Sequence, residues 1–349
     1  MTKTCINATN LHHGGGVQVA SSFILDLLDS GVEECDYDFY VSDIVCQNLP
    51  EKFRKHVIVR NTFGIRSILF NTYLSLKYRT IFTIFGPFYS FFKASHSIVG
   101  FAQPWIIFGN IYLYKKYHGI WWPLVYFKFS LQKMFFKYLS DCLIVESTSV
   151  RDELSRFVSP DKIVVIKNTI NSMLLGSSCI KSPHGGLNVC YVSSYYPHKN
   201  FEFLFAVAKA LLGNEITFHV TLPDEVFSRY APTNVVNHGY MKIADLPEFY
   251  SKMDVSFFPS ELECFSTFPL ESFFFGNYVI IADEKFNTVY REFDVTSFTP
   301  NSLNEVVSLL ISGDFMKQFT LESNKKILSS YAESYSRSNE YVRYIKGIS

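Results

Sequence analysis

Pro259-Ser260-Glu261-Leu262-Glu263-Cys264-Phe265-Ser266-Thr267-Phe268-Pro269-Leu270-Glu271 is the stretch on which the reading of this chain turns. It follows an apolar run, Val255-Ser256-Phe257-Phe258, that reads as a buried strand. It ends in a helical pattern that stops at Gly276, and a second apolar run, Tyr278-Val279-Ile280-Ile281-Ala282, comes next. Strand, turn, helix and strand in that order make one unit of a parallel sheet, because parallel neighbours need a crossover connection. Glu263 and Glu271 thus flank a strand-to-helix turn at the carboxyl end of a strand, where open α/β sheets bind ligands. Two carboxylates in such a place serve either acid/base chemistry or the positioning of a ligand.

Upstream, the same half opens with the strand-like run Leu187–Val192 and the turn Ser193-Ser194-Tyr195-Tyr196-Pro197-His198-Lys199-Asn200 before a helix over Phe201–Leu212. A lysine at a helix amino terminus adds a full charge to the dipole and suits a diphosphate. Further strands are expected at Ile216–Leu222 and Val235-Val236, and a helix at Ile243–Met253.

The first half repeats the alternation. Cys5–Ala8 reads as a strand, followed by Asn10-Leu11-His12-His13-Gly14-Gly15-Gly16 and an amphipathic helix over Val17–Leu28. A glycine-rich turn there lets backbone N–H groups approach an anion, although the spacing is not the dinucleotide GxGxxG pattern. Strand-like runs recur at residues 37–41, 56–59, 80–84, 97–100, 142–145 and 162–166, with helical patterns at 65–78, 124–139 and 148–157. Alternating strands and helices predict doubly wound parallel sheets. The expected organisation is a first domain over 1–167, a Ser/Gly/Pro-rich linker over 168–186, a second domain over 187–325, and a carboxyl-terminal helix over 326–349 packing back on the first domain.

Composition narrows the class. Of 349 residues, 48% are apolar and 18% charged, which excludes a disordered chain. Seven dispersed cysteines without metal-like spacing fit reduced thiols in the cytosol. Met1–Cys5 lacks the apolar core of a secretion signal. The net charge of zero hides an asymmetry: thirteen Lys and Arg and no acid lie between Glu51 and Asp141. Lys115, Lys116, Trp121, Trp122, Lys128 and Lys133 fall in this interval, which is also rich in Phe, Tyr, Leu and Ile. Basic residues among aromatics suit either nucleic acid or the boundary of headgroups and acyl chains. The density of Leu, Ile and Phe favours an anionic membrane surface over nucleic acid. The longest uncharged window, 97–114, is broken by Gln103, Pro104, Gly109 and Asn110, so no transmembrane helix is expected.

The pattern Pro-Ser-x-x-Glu-x-Phe at 259–265, with a second Glu eight residues after the first, resembles the E-x7-E motif of retaining glycosyltransferases of family 4. The Gly14–Gly16 loop, the Lys199-Asn200 turn, Gly239 and Tyr250–Asp254 fall in that family's order, so the resemblance covers nearly the whole chain. It implies a GT-B fold, two Rossmann-like domains facing a central cleft. It implies a nucleotide-sugar donor, UDP- or GDP-linked, with no metal and no other cofactor. Lys199 would then bind the diphosphate. Glu263 would contact the transferred sugar with help from the backbone of Phe265, Ser266 and Thr267, and Glu271 would accept from the ribose hydroxyls. Gly14, Gly15 and Gly16 would approach the diphosphate and sugar.

Two positions depart from the family pattern. Ser194 stands where an arginine often precedes the lysine. Gln103, in Phe101-Ala102-Gln103-Pro104-Trp105, stands where a histidine often faces the sugar; His13 is the other candidate. Asp36-Tyr37-Asp38 matches a metal-binding D-x-D only formally. The expectation is a retaining, metal-independent transferase acting in the cytoplasm at the inner face of the membrane, its saccharide acceptor carried on a lipid diphosphate, as in O-antigen, lipopolysaccharide or capsule assembly. The alternatives are a nucleotide-sugar epimerase or phosphorylase of the same fold, or a non-catalytic, membrane-associated nucleotide-sugar or nucleic-acid binding module.

Overall fold

The computed structural model describes residues 3–29, 36–175, 181, 185–227, 231–317, 324, 327–329, 331 and 334–347. Cys35, Cys179, most of the stretch anticipated as linker beyond Leu175, and most of the tail from 318 to 333 lie outside the described residues. The chain forms two units: Met1–Asn171 with Ser334–Ser349, and Ser172–Glu333.

Among the described residues the first unit contains seven parallel strands: β1 (Thr4–Ala8), β2 (Tyr37–Val41), β3 (Val57–Val59), β4 (Thr80–Thr83), β5 (His96–Gly100), β6 (Cys142–Val145) and β7 (Ile163–Val165), in the order β3-β2-β1-β4-β5-β6-β7. The second contains six: β8 (Leu187–Tyr191), β9 (Ile216–Val220), β10 (Val235–Asn237), β11 (Val255–Phe258), β12 (Tyr278–Ala282) and β13 (Thr296–Phe298), in the order β10-β9-β8-β11-β12-β13. All the pairings are parallel. Helices cover both faces of such sheets, so their strands are near-continuous apolar runs rather than alternating ones; Val255, Phe257 and Phe258 on β11 are all buried. The three-residue edge strand β13 and the helix Leu303–Ser312 were not anticipated.

Local chemistry explains the turns. Ser147 caps the helix Thr148–Leu154 by accepting from Val150 N at 3.4 Å. At the end of β5 the chain needs Gly100, because a Cβ there would lie 1.8 Å from the Ile84 carbonyl oxygen.

The carboxyl-terminal helix Ser334–Ile345 returns to the first unit, as the sequence suggested. Buried Arg337 donates to Asn168 Oδ1 at 2.7 Å and to Ser22 Oγ at 2.9 Å. Ser338 donates to Asp26 at 2.6 Å, and Tyr341 meets Phe23 edge-on at 5.2 Å. A charge-assisted pair, a carboxylate contact and an aromatic core therefore fix this helix against Gly15–Asp29.

Candidate functional site

Each sheet reverses its strand order once, between β1 and β4 in the first unit and between β8 and β11 in the second. Ligands of doubly wound sheets bind outside the carboxyl ends at that reversal. Lys199 follows β8 and Glu263 follows β11, so both stand at the reversal of the second sheet.

There the two side chains form an ion pair, Lys199 Nζ to Glu263 Oε1, with the side chains only 15% and 9% exposed. Ser260 donates a second hydrogen bond to the same oxygen at 3.0 Å. Such desolvation is tolerable only because the charges meet each other and a hydroxyl. Beneath them lies buried Tyr191, whose hydroxyl is pushed well above its ordinary value by burial first and by the negative charge of Glu263 second.

The two turns are tied through Asn200, already placed in the Lys199-Asn200 turn by the sequence, and through Asn301, which the sequence reading did not single out. Asn200 adopts a left-handed conformation, φ +59°, directly after Lys199. Its Nδ2 donates to Pro259 O at 3.3 Å and to Asn301 Oδ1 at 2.9 Å. Asn301, also left-handed at φ +62°, donates in turn to Glu261, and the Glu261 N–H donates to His198 O at 2.9 Å. Asparagine is one of the few residues that tolerates this backbone region, which was the available signal. Nearby, burial and the charges of Glu261 and Asp283 raise the Glu284 carboxyl to about 7.

Glu271 lies in the first turn of the helix Phe268–Phe274. It is half-buried, and the buried Tyr250 hydroxyl donates to its Oε2 at 3.1 Å. Burial raises its carboxyl, and hydrogen bonds from Thr267 and Tyr250 pull the other way. The stretch between the two acids is held by Tyr290: the Ser266 N–H, expected to face a sugar, donates to the Tyr290 hydroxyl at 3.1 Å, which in turn donates to Ser266 O. That amide serves the loop itself. Phe265 lies beside the same ring, with centroids 5.9 Å apart. Ser194, where the arginine was missed, is exposed and brings no cation.

In the first unit the loop after β1 is built differently. Gly14 takes φ +72°, a conformation other residues enter only with strain, and opens the helix Gly15–Asp29. A Cβ on Gly15 would meet nothing within 4 Å, whereas one on Gly16 would sit 3.3 Å from Leu11 and 3.4 Å from Phe85. The bareness of Gly16 thus serves helix packing. His12 stacks on Phe63 with ring centroids 4.0 Å apart and meets Thr62 O at 3.3 Å, while His13 is exposed. Gln103 is half-buried at the carboxyl end of β5 and caps the short helix Pro104–Ile107 through its backbone, with no side-chain cap bond. Asp38 of the formal D-x-D is paired with Lys3 at 3.1 Å. Among the described residues no group of three or more His, Cys, Asp or Glu is placed to hold a metal.

The acid-free interval divides. Lys115, Lys116, Trp121 and Lys128 are exposed. Trp122 is half-buried on the inner face of the helix Trp122–Leu139, and Lys133 is half-buried with its ammonium 3.8 Å above the Phe157 ring. Trp122 and Lys133 therefore stand apart from the outward residues with which the sequence reading grouped them. Burial and the neighbouring Lys137 lower its pKa.

No family model matches the sequence. A Klebsiella pneumoniae protein, described as an uncharacterized 41.2 kDa protein in the cps region, is 24% identical over 151 residues. That match spans 40% of this chain and 42% of the relative. Among solved structures, Anabaena HepE in complex with UDP-glucose superposes with a TM-score of 0.72 at 13% identity, covering 99% of each chain. Sucrose-phosphate synthase from Thermosynechococcus elongatus gives 0.73 at 14% identity, over 99% of this chain and 98% of that one. The lipopolysaccharide outer core galactosyltransferase WaaB gives 0.61 at 13% identity, over 98% and 99%. With two parallel-sheet α/β units and these likenesses, the fold is GT-B.

Proposed function

We propose that this chain is a glycosyltransferase that moves a sugar from a UDP- or GDP-linked donor to a saccharide acceptor, with retention of anomeric configuration. The observation that carries the proposal is the Lys199–Glu263 pair at the reversal point of the second sheet, with Glu271 one turn into the following helix. The Anabaena likeness in complex with UDP-glucose and the galactosyltransferase likeness point in the same direction.

The chemistry follows from the charges. In transfer, the bond between the anomeric carbon and the diphosphate oxygen breaks. An acceptor hydroxyl oxygen bonds to that carbon from the same face, and its proton goes to the departing phosphate. The charge that grows is on the nucleoside diphosphate, so its stabilisation is the main task. Lys199 supplies a cation for it, which is why no metal is assigned. Glu263, held by Ser260, would orient the sugar, and Glu271, held by Tyr250, would accept from the ribose. Neither acid is assigned as a covalent nucleophile. The acceptor is proposed to ride on a lipid diphosphate at the cytoplasmic face of a membrane, in surface-polysaccharide assembly; the cps-region relative and the acid-free basic interval favour this reading.

The test is a screen of UDP- and GDP-sugars by thermal stabilisation and donor hydrolysis. A donor at a hundred times its Kd should stabilise the protein by about 2.7 kcal/mol. Glu271→Ala should weaken donor binding roughly tenfold or more, by leaving ribose hydroxyls unpaired. If no sugar nucleotide stabilises the chain, the reading falls; if affinity and turnover both survive Glu271→Ala, the site is misassigned.

A further inference from the structure

An ordinary surface helix turns one apolar stripe to the core and a polar face to water. The helix Trp122–Leu139 is apolar on both sides. Its inner face carries Trp122, Val125, Phe129, Gln132 and Phe136 at helical spacing, and Phe136 packs on Phe101 at 4.8 Å. Its outer face carries Leu124, Phe127, Leu131, Met134 and Tyr138, again at alternating steps of three and four. All five are exposed, Phe127 by 68%.

The helix Gly64–Lys77 also turns an apolar stripe outward, over an inner face that is largely polar. Ser67, Asn71 and Leu74 are buried, while Ile65, Leu69, Tyr73 and Leu76 face outward, Leu76 by 74%. The segment Tyr89–Phe92 joins the two helices. Tyr89 accepts from Gln132 at 2.6 Å and meets Phe135 at 5.0 Å. Ser90 lies 3.2 Å from both Thr72 and Ser75, and the Phe91 N–H donates to Thr72 at 3.1 Å. Phe91 and Phe92 then project outward from the seam. The result is an apolar face of the first unit built from neighbouring stripes rather than from hydrophobics scattered singly.

Its charge decides the occupant. No acid lies between Glu51 and Asp141, and exposed Lys115, Lys116, Lys128 and Lys137 stand in the same interval. The Lys137 ammonium sits 5.5 Å from the ring of Tyr138 on the outward face, and those of Lys115 and Lys128 sit 5.5 Å from Trp122 and Phe129 at the inner side of the same helix. Stems against apolar surface with ammonium heads at its edge are how lysines sit at the boundary of acyl chains and headgroups. Among the described residues no helix is long and apolar enough to cross a membrane.

We infer that this face docks the protein in-plane on a lipid monolayer bearing anionic headgroups, inserting the outward stripes of both helices. The inference deepens the proposed lipid-borne acceptor and rests on that reading only for its purpose, because its test reads binding rather than transfer. The full chain is floated with vesicles of phosphatidylcholine alone and of phosphatidylcholine mixed with phosphatidylglycerol. Wild type should float with the anionic vesicles. Phe127→Ser with Leu131→Ser, both exposed and so neutral to folding, should lose flotation. Lys115→Gln, Lys116→Gln and Lys128→Gln together should weaken it roughly fivefold per lysine, with added salt weakening wild type in the same direction.

Wild type that stays unbound with anionic vesicles overturns the inference, as does unchanged flotation of both variants. Two further results overturn it by naming another occupant. One is that the serine variant turns a dimer into a monomer in sedimentation while vesicles are ignored. The other is that a single-stranded oligonucleotide, but no vesicle, binds wild type and fails to bind the lysine variant. Donor hydrolysis measured without lipid separates failure of docking from failure of the transferase reading.

Discussion

The two sheets reverse their order at the same point, β1 against β4 and β8 against β11, yet the turns at those points are built on opposite principles. In the second unit the turns are tied before any ligand arrives. Lys199 pairs with Glu263, Ser260 supports the acid, and Asn200 and Asn301 link three loops through Glu261. In the first unit the loop is open: Gly14 and Gly15 have free space, and His13 is exposed. The difference is electrostatic. A cation and an anion withdrawn from water need each other and fixed partners, whereas a bare glycine turn needs only room for a ligand. One turn carries fixed charge and is rigid by necessity; the other offers backbone and stays permissive.

The sharpest way to break this contrast is to remove one charge. Lys199→Met leaves Glu263 buried with Ser260 alone, and should cost about 3 kcal/mol of stability. Urea unfolding of the variant against wild type measures it. The pair variant Lys199→Met, Glu263→Met should recover part of that loss, since no lone charge remains. His13→Ala in the first unit should stay within about 0.5 kcal/mol. If the lysine and histidine variants are equally stable, the second site is not prestressed by its charges and the contrast fails. On the proposed reading, donor turnover should fall roughly a hundredfold in Lys199→Met.

A second, smaller effect sharpens the picture of the tied turn. Glu284, between Glu261 and Asp283 in charge, titrates at about 7 in the folded chain against an ordinary glutamate value of about 4.3. Between those values the folded state holds a proton that the unfolded state has released. Stability therefore falls as pH rises through the window from about 4.3 to about 7; the shift caps the loss at about 3.7 kcal/mol, and solvent screening of this half-buried acid reduces it to about 1–2 kcal/mol. Glu284→Gln should remove that slope and raise the midpoint of thermal unfolding at pH 8 more than at pH 5. An unchanged difference between the two pH values would show that the acid is already relieved by solvent.

Most of the fold was legible because its signals are local and repeated. Apolar runs at 37–41, 142–145, 255–258 and 278–282 became strands at those residues. The misses are elements with weak local signal: β13 is three residues long and pairs only along one edge of β12. In the candidate site, Lys199 and Glu263 were placed through a resemblance of motif, and the structure brings them into contact. Asn301 and Tyr290 were not found, because they arrive from segments 40 and 24 residues away in contacts that no periodicity encodes. Lys133 was misplaced for a different reason. Composition says that an interval is basic and aromatic, but only helical phase says which lysine turns toward Phe157 and which toward solvent.

The smallest expected effect addresses the open turn. Gly14 and Gly15 are adjacent and both have empty space where a Cβ would go, so sterics cannot distinguish them. Backbone geometry does. Gly14 sits at φ +72°, where an alanine pays about 1–2 kcal/mol. Gly15 begins the helix, where alanine is preferred and stabilises by up to about 1 kcal/mol. Thermal unfolding should therefore shift down for Gly14→Ala and slightly up for Gly15→Ala. If the turn also approaches a diphosphate, Gly15→Ala gains stability and loses donor affinity in the same molecule, because its new methyl occupies the space the ligand would use. A stabilised Gly15→Ala protein with undiminished affinity would assign the three glycines to the fold alone, leaving donor recognition to the charged turn of the second sheet.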